Sequence, residues 1–454
     1  MSSSSSSLSS SPSSDNDNRN GRRAATSVYE GPSSSRRRRG GSGDVWPELF
    51  LEALATQVAI DANRSFGHLA AASSLTNLFQ VCSTWRAVSR SDLLWATLTR
   101  EIWGRTVLTH ATWHDEYIYH HRTFLNFRVQ RYVHATLHFD PAEVVNPEGL
   151  ICRCVTLSDQ FLACGFADGT VRIFDLSTFL HVGTFQPHPG GGLGLHPRAV
   201  SGIVIAGPRL IFATLDGDIH VGIIDGGNLL RRAHMGDVVT DGAMVDFAGC
   251  ERWWVGLYAG VPGRAFHIWD SDSEDLVFVG GTLTDPESVR GWRMLTELIH
   301  YVARVRVTGH ESAVACTGTR VIAIHLRDQG VILDQHRYRR GLIVTATDTN
   351  ADSYIVVDTR GSAIVRRADT GEEMCRRFTV RGAAEGRVMG SLNLGYAMMC
   401  AGGVMDVWDI EHGEYLYSLA ERIGEVNAIV ANDRHVAAYC SDAAIIHLWD
   451  FGDR

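Results

Sequence analysis

Seven near-copies of one unit run from about residue 150 to the C-terminus, and no other feature limits the fold as much. Each copy has an apolar strand that ends in a small or Gly-containing turn. A second strand follows and closes on an aromatic or aliphatic residue, then Asp or a substitute. The Asp-like positions are Asp175, Asp225, Asp270, His325, Arg367, Asp409 and Asp450, spaced 50, 45, 55, 42, 42 and 41. The preceding strands keep the same register: FLACGFADG, LIFATLDG, RWWVGLYAG, SAVACTGT, YIVVDTRG, YAMMCAGG and HVAAYCSD. A single such unit cannot bury its own apolar faces, so copies at this period imply the blades of an all-β, seven-bladed propeller.

Phe174-Asp175, Trp269-Asp270, Trp408-Asp409 and Trp449-Asp450 resemble the Trp-Asp endings of WD repeats, whereas blades four and five lack the Asp. The Gly-His pair of those repeats occurs in this register only at Gly309-His310, so packing rather than an Asp-His network is expected to hold the blades. The chain stops just after the third strand of blade seven. Arg131 to Phe139, RYVHATLHF, alternates like a strand and is expected to supply the missing outer strand and close the ring.

Ahead of the propeller, Leu75 to Trp95 reads LTNLFQVCSTWRAVSRSDLLW, with apolar residues at helical spacing and a break at Ser83-Thr84. Two or three short helices fit it, with more apolar surface than they can bury on themselves. Asp44-Val45-Trp46-Pro47-Glu48 supplies a cap and an early proline for a helix carrying Leu49, Phe50, Leu51, Leu54 and Val58. Residues 61 to 68 interrupt that pattern. Trp46-Pro47, then Val81-Cys82-Ser83-Thr84-Trp85, then Leu94-Trp95 resemble, in order, the Leu-Pro, Val-Cys-x-x-Trp and Leu-Trp of F-box domains. The chain departs in its opening tryptophan and in a longer segment before Leu75. The resemblance implies a Skp adaptor bound through Trp46, Pro47, Leu49, Phe50, Leu78, Val81, Cys82, Trp85, Leu94 and Trp95. Burial there would contribute roughly 25 cal/mol per Å². The plainer reading is a helical subdomain packed on the rest of the chain.

Residues 1 to 44 hold eleven serines among the first fourteen and almost nothing to bury, so this segment is expected to be a disordered tail. Its seven arginines against Asp15, Asp17, Glu30 and Asp44 give +3, leaving −12 on the rest of a chain of net −9. Arg36, Arg37, Arg38 and Arg39 suit a nuclear import signal, or simply a solubilising tail. An acidic body with one short basic tract lacks the broad positive face that nucleic acid needs. No run of eighteen apolar residues and no signal-peptide order is present, so neither membrane span nor secretion is expected. Nine cysteines without a CxxC pair read as core residues rather than a disulfide or zinc framework. All 42 basic residues are arginine. Coding bias would produce this, and so would selection against ubiquitin acceptors, since guanidinium stays protonated and is a poor nucleophile.

Residues 105 to 130 mix aromatics with His110, His114, His120 and His121 and read as a helical connector that spaces the units. His110 and His114 have metal-ligand spacing on a helix but no third ligand on a known scaffold, so no metal and no cofactor are expected. The sequence has no GxSxG, P-loop or HExxH motif and no RING-type Cys/His array, so catalysis by this chain is not expected. A propeller of this strand order gathers on one rim the loops entering each first strand and those joining second to third strands. That rim collects Arg264, Trp292, Arg337, Arg339, Arg340, Arg360, Arg381, Arg387 and Arg422, residue types suited to an acidic or phosphorylated protein segment. Solvated loop arginines are the competing reading.

The domain plan is therefore a tail at 1–44, an F-box-like helical domain at 45–104, a connector at 105–130 and a propeller at 131–454, with 131–139 as closing strand. DVWPELFLEALA, VSRSDLLW, GCERWWVGLYAGVPGRAFHIWD, VGGTLTDPE and HLWDFG resemble sequences of the plant STERILE APETALA family. The resemblance implies a nuclear, non-catalytic receptor subunit of a Skp-Cullin-F-box ubiquitin ligase. It would mark transcriptional repressors of the PEAPOD and KIX type, in flower development and organ size. A non-proteolytic WD-repeat scaffold or transcriptional regulator is the alternative.

Overall fold

The computed structural model describes residues 47–139, 151–187, 198–227, 229–282, 303–317, 320–337, 344–358, 360–375, 377–381 and 388–452. Within them, five helices precede seven four-stranded antiparallel sheets, each a propeller blade. Blades one to six each use four consecutive strands, and blade seven uses the last three plus Val133–His138. That early strand pairs with Ile445–Asp450, Val133 opposite Asp450 and His138 opposite Ile445, so the first and last strands of the propeller lock the ring. The pairing completes blade seven and covers the outer side of Ile445–Asp450.

Blade one shows why the repeat reads as it does. Its second and third strands, Phe161–Phe166 and Val171–Asp175, are buried on both faces because neighbouring blades cover them. Asp175 then ends the third strand by accepting from the backbone N–H groups of Ser177 and Thr178, both at 2.8 Å. Asp270 and Asp409 cap the corresponding turns of blades three and six in the same way. In blade four, where Asp is replaced, His325 Nδ1 accepts from Asp328 N–H at 3.2 Å. The repeated Asp is thus an Asx-type turn cap, but in blade two the register puts Ile223, opposite Arg209, in its place rather than the expected Asp225.

A second recurring cap lies in the turn between first and second strands. Asn350, Asn393 and Asn432 each accept from backbone N–H groups of their own turn. Each also donates its amide to the next blade: Asn350 to Asn393 O, Asn393 to Asn432 O and Asn432 to Ser158 O, at 3.0 to 3.2 Å. This ladder stitches blades five, six, seven and one together along one face.

The helices are α1 (Glu48–Phe66), α2 (His68–Phe79), α3 (Ser83–Val88), α4 (Asp92–Trp103) and α5 (Trp113–Arg128). Contrary to the interruption expected over 61 to 68, α1 continues to Phe66. The break is confined to Gly67, whose φ of +86° few other residues tolerate. Ser91 and Thr112 cap α4 and α5 with their hydroxyls, and Gly104 ends α4 in the left-handed region.

Nor does α5 act as a spacer. Phe127 stacks on Phe451 at 3.7 Å and on Tyr396 at 5.3 Å. Tyr396 and Tyr417 donate their hydroxyls to the carbonyls of Phe124 and Phe127, and Asn126 donates to Phe451 O. Gly395 is a glycine for the same reason, since a Cβ there would lie 2.2 Å from Phe124. Helices and blades six and seven therefore share one continuous core. His110 lies ahead of α5, and His114 packs on Trp95 at 4.6 Å, which removes the ligand-spaced pair.

Candidate functional site

The helical layer has an inner side sealed on the propeller and an outer side that remains apolar. On α1, Leu51, Ala55, Ala59 and Ala62 face inward, while Leu49 is 72% exposed and Phe50 and Leu54 also face solvent. Val81, between α2 and α3, is 67% exposed and Cys82 beside it is exposed as well. Pro47 is at the surface, Leu78 and Trp85 are half-buried, and Trp46 lies outside the described residues. Contacts of α1 with α3 and α4, and of α2 with α3, make these helices one layer.

Leu94 and Trp95 must be withdrawn from the adaptor-facing set. Trp95 is only 6% exposed, donates its indole N–H to Ser89 O at 2.7 Å, and packs against Tyr117 at 5.0 Å. Leu94 is buried with it, and the two hold α4 against the rest of the core. Leu93, 61% exposed, is the residue of that turn that meets solvent. The sequence carries the signal, since the phase of Leu94, Leu98 and Ile102 turns Leu93 outward.

The segment before α5 is fixed by Glu116, which is buried and accepts from Thr109 N–H, His110 N–H and the Thr109 hydroxyl. Burial opposes its charge, but those bonds and that of His110 prevail and hold the carboxyl down at about 2. Arg105 pairs with Asp159 and Asp433, Arg128 with Asp409, and His68 with Glu411, so charge as well as apolar contact joins helices to blades. Asp409, Glu411 and His412 bring possible ligand atoms within 4.8 Å of one another. With Arg128 and His68 already on the first two, they serve this joint rather than a metal.

All these joints lie on the face carrying the turns between first and second and between third and fourth strands, here called the lower face. The predicted arginine rim belongs to the upper face. Arg360 and Arg422 are exposed there, in connections of blade five and between blades six and seven. Arg264 is engaged by Asp241, its Nε at 3.0 Å from Oδ1, and Arg381 lies 4.2 Å over Tyr415. Arg337 ends an outer strand, exposed. Trp292, Arg339, Arg340 and Arg387 lie outside the described residues, as do Arg36, Arg37, Arg38 and Arg39. No contact joins Arg264, Arg360 and Arg422 to one another among the described residues.

A third region went unnoticed in the sequence. The inner strands leave edge N–H groups facing the channel, and acidic side chains cap some of them. Asp246 accepts from Val305 N–H at 2.8 Å and from Arg306 Nη1 at 3.0 Å. Asp348 accepts from Leu392 N–H at 2.9 Å and from the Ser391 hydroxyl, with Arg306 Nε 3.6 Å away. Burial nonetheless pushes the Asp348 carboxyl up. Arg304 reaches to 3.8 Å from Asp246. Alternating charge in ARVRV was the available signal, because an inner strand packed on both faces has no other reason to carry two arginines.

The chain is 59% identical over 416 residues to the Arabidopsis thaliana protein described as "Transcriptional regulator STERILE APETALA", covering 91% of this chain and 93% of the relative. The chain belongs to the STERILE APETALA family. No protein-family model matches it. Among solved structures, it is similar to the β-propeller domain of Myceliophteria thermophila Cps50 (Swd1), with 14% identity, 70% of this chain and 99% of that one covered, and a TM-score of 0.48. STERILE APETALA membership spans both the helical layer and the propeller, since a match of this length cannot fit within either part alone.

Proposed function

We propose that this STERILE APETALA protein is the non-catalytic substrate receptor of a Skp-Cullin-F-box ubiquitin ligase. In this reading its helical layer holds the Skp adaptor and its upper propeller face holds a transcriptional repressor of the PEAPOD or KIX type in the nucleus. The observation that carries the reading is an apolar outer surface on helices whose other side is already sealed. Leu49, Phe50, Leu54, Val81 and Leu93 stay exposed although the layer's inner side is filled by the core it shares with blades six and seven. A lone exposed leucine needs no explanation, but five on one small layer suit a protein partner. The half-buried Trp85 and Leu78 extend that surface inward.

The second reading is a non-proteolytic propeller scaffold acting in transcription, favoured by the relative's description as a transcriptional regulator. Titrating purified Skp adaptor into the full chain separates the two. Each buried aliphatic side chain is worth about 1.5–3 kcal/mol, so Val81→Asp and Leu93→Asp should each weaken adaptor binding about tenfold or more. Their unfolding midpoints should stay at the wild-type value, because both side chains already face water. A wild-type chain that does not bind the adaptor, or variants that bind it as well, would leave the scaffold.

A further inference from the structure

Among the described residues, the upper end of the channel gathers more guanidiniums than carboxylates. Five inner strands carry a β-bulge near their upper ends, with register shifts at Cys152/Cys154, Val200/Gly202, Met244/Asp246, Val344/Ala346 and Val426/Ala428. A bulge re-aims the extra side chain, and in blade one that residue is Arg153. Its Nη1 is buried without a hydrogen-bond partner among the described residues. Arg304 occupies the same level of blade four, three blades away across the lumen.

The nearby carboxylates meet these charges only in part. Both Asp246 and Asp348 are turned to Arg306 and to backbone N–H groups. Arg304 lies beyond hydrogen-bond distance of Asp246, at 3.8 Å. Among the described residues, three guanidiniums, Arg153, Arg304 and Arg306, thus face two carboxylates. Burial depresses the pKa of Arg153, and the like charge of Arg304 adds to that against a partial offset from Cys154 and Asp246. An uncompensated buried cation is costly to keep, and natural interiors pair such groups.

We propose that the upper channel is an anion-binding site in which Arg153 and Arg304 take one carboxylate or phosphate group between them. Guanidinium forks suit both anions, and the channel's low dielectric strengthens the pairing. The site lies toward the face opposite helices α1 to α5. A group arriving there is either presented by a bound protein, as an acidic or phosphorylated side chain, or is a free anion. The presented case deepens the receptor reading above, yet the site itself depends on neither adaptor nor ligase.

The test uses the purified full chain at low salt, titrated with inorganic phosphate and with an end-blocked pentapeptide bearing one phosphoserine. Phosphate should bind saturably and raise the unfolding midpoint. Arg153→Met and Arg304→Met should each weaken it about tenfold or more, and Arg304→Lys less, because the charge remains but the fork is lost. Without phosphate, Arg153→Met should unfold at or above the wild-type midpoint, which a merely structural arginine would not allow. Peptide binding about tenfold tighter than phosphate assigns the site to a presented side chain, and phosphate binding equally or better assigns it to a free anion. Folded variants that bind phosphate like the wild type, or a wild type without saturable binding, would overturn the site. Adaptor binding should be unchanged in every channel variant, so this test and that of the receptor reading fail independently.

Discussion

The two faces of the propeller are made from equivalent turns and put to different uses. On the lower face, the asparagine ladder runs across blades five to one, and residues 48–128 add Phe124, Phe127 and four ion pairs to blades one, six and seven. The amides of Asn350, Asn393 and Asn432 there are bonded to other parts of the same chain. On the upper face, Arg360 and Arg422 are exposed, and the channel below them keeps Arg153 Nη1 without a hydrogen-bond partner among the described residues. One face is therefore construction, and the other has charge to offer. The difference follows from the helices, because a turn covered by α5 must satisfy its groups internally while an uncovered one has water.

The largest expected effect breaks the lower face. Phe127→Ala empties a site stacked on Phe451 and Tyr396 and should cost about 3–5 kcal/mol by denaturant unfolding. A loss under about 1 kcal/mol would mean that the helices are an appendage. Asn393→Ala removes one rung, which accepts from Tyr396 N–H and donates to Asn432 O. It should cost about 1–2 kcal/mol, and hydrogen exchange should quicken at the turns of blades six and seven before the outer strands respond. The smallest effect is expected above. Arg360→Ala with Arg422→Ala should leave the unfolding midpoint unchanged and instead weaken capture of an acidic protein segment, measured by titration.

How much of this was legible depended on whether the partner of a residue was near in sequence. The blades were readable because strand alternation and turn caps such as Asp270 and Asp409 are local. The closing strand was readable from its alternation and from a strand missing at the C-terminus. The joint was not, because Phe127 and Phe451 are far apart in the chain and an aromatic, His-rich helix looks like any amphipathic connector. The same distance effect hid the inward turn of Leu94 and Trp95, since Trp95 is buried by α5, which the sequence does not place. Gly67 was blurred by the polar run before it, whose residues are compatible with helix until the glycine itself. The channel arginines were missed because charges alternating in a strand usually mark a solvent face, whereas here they mark the lumen edge.

The most direct measurement of the division between the faces is hydrogen exchange on the full chain with and without purified Skp adaptor. Protection should rise over residues 48–54 and 81–93, where the exposed apolar side chains lie, and remain unchanged at 260–264, 360–362 and 419–425. Protection confined to the upper-face segments, with the helices exchanging as before, would contradict it.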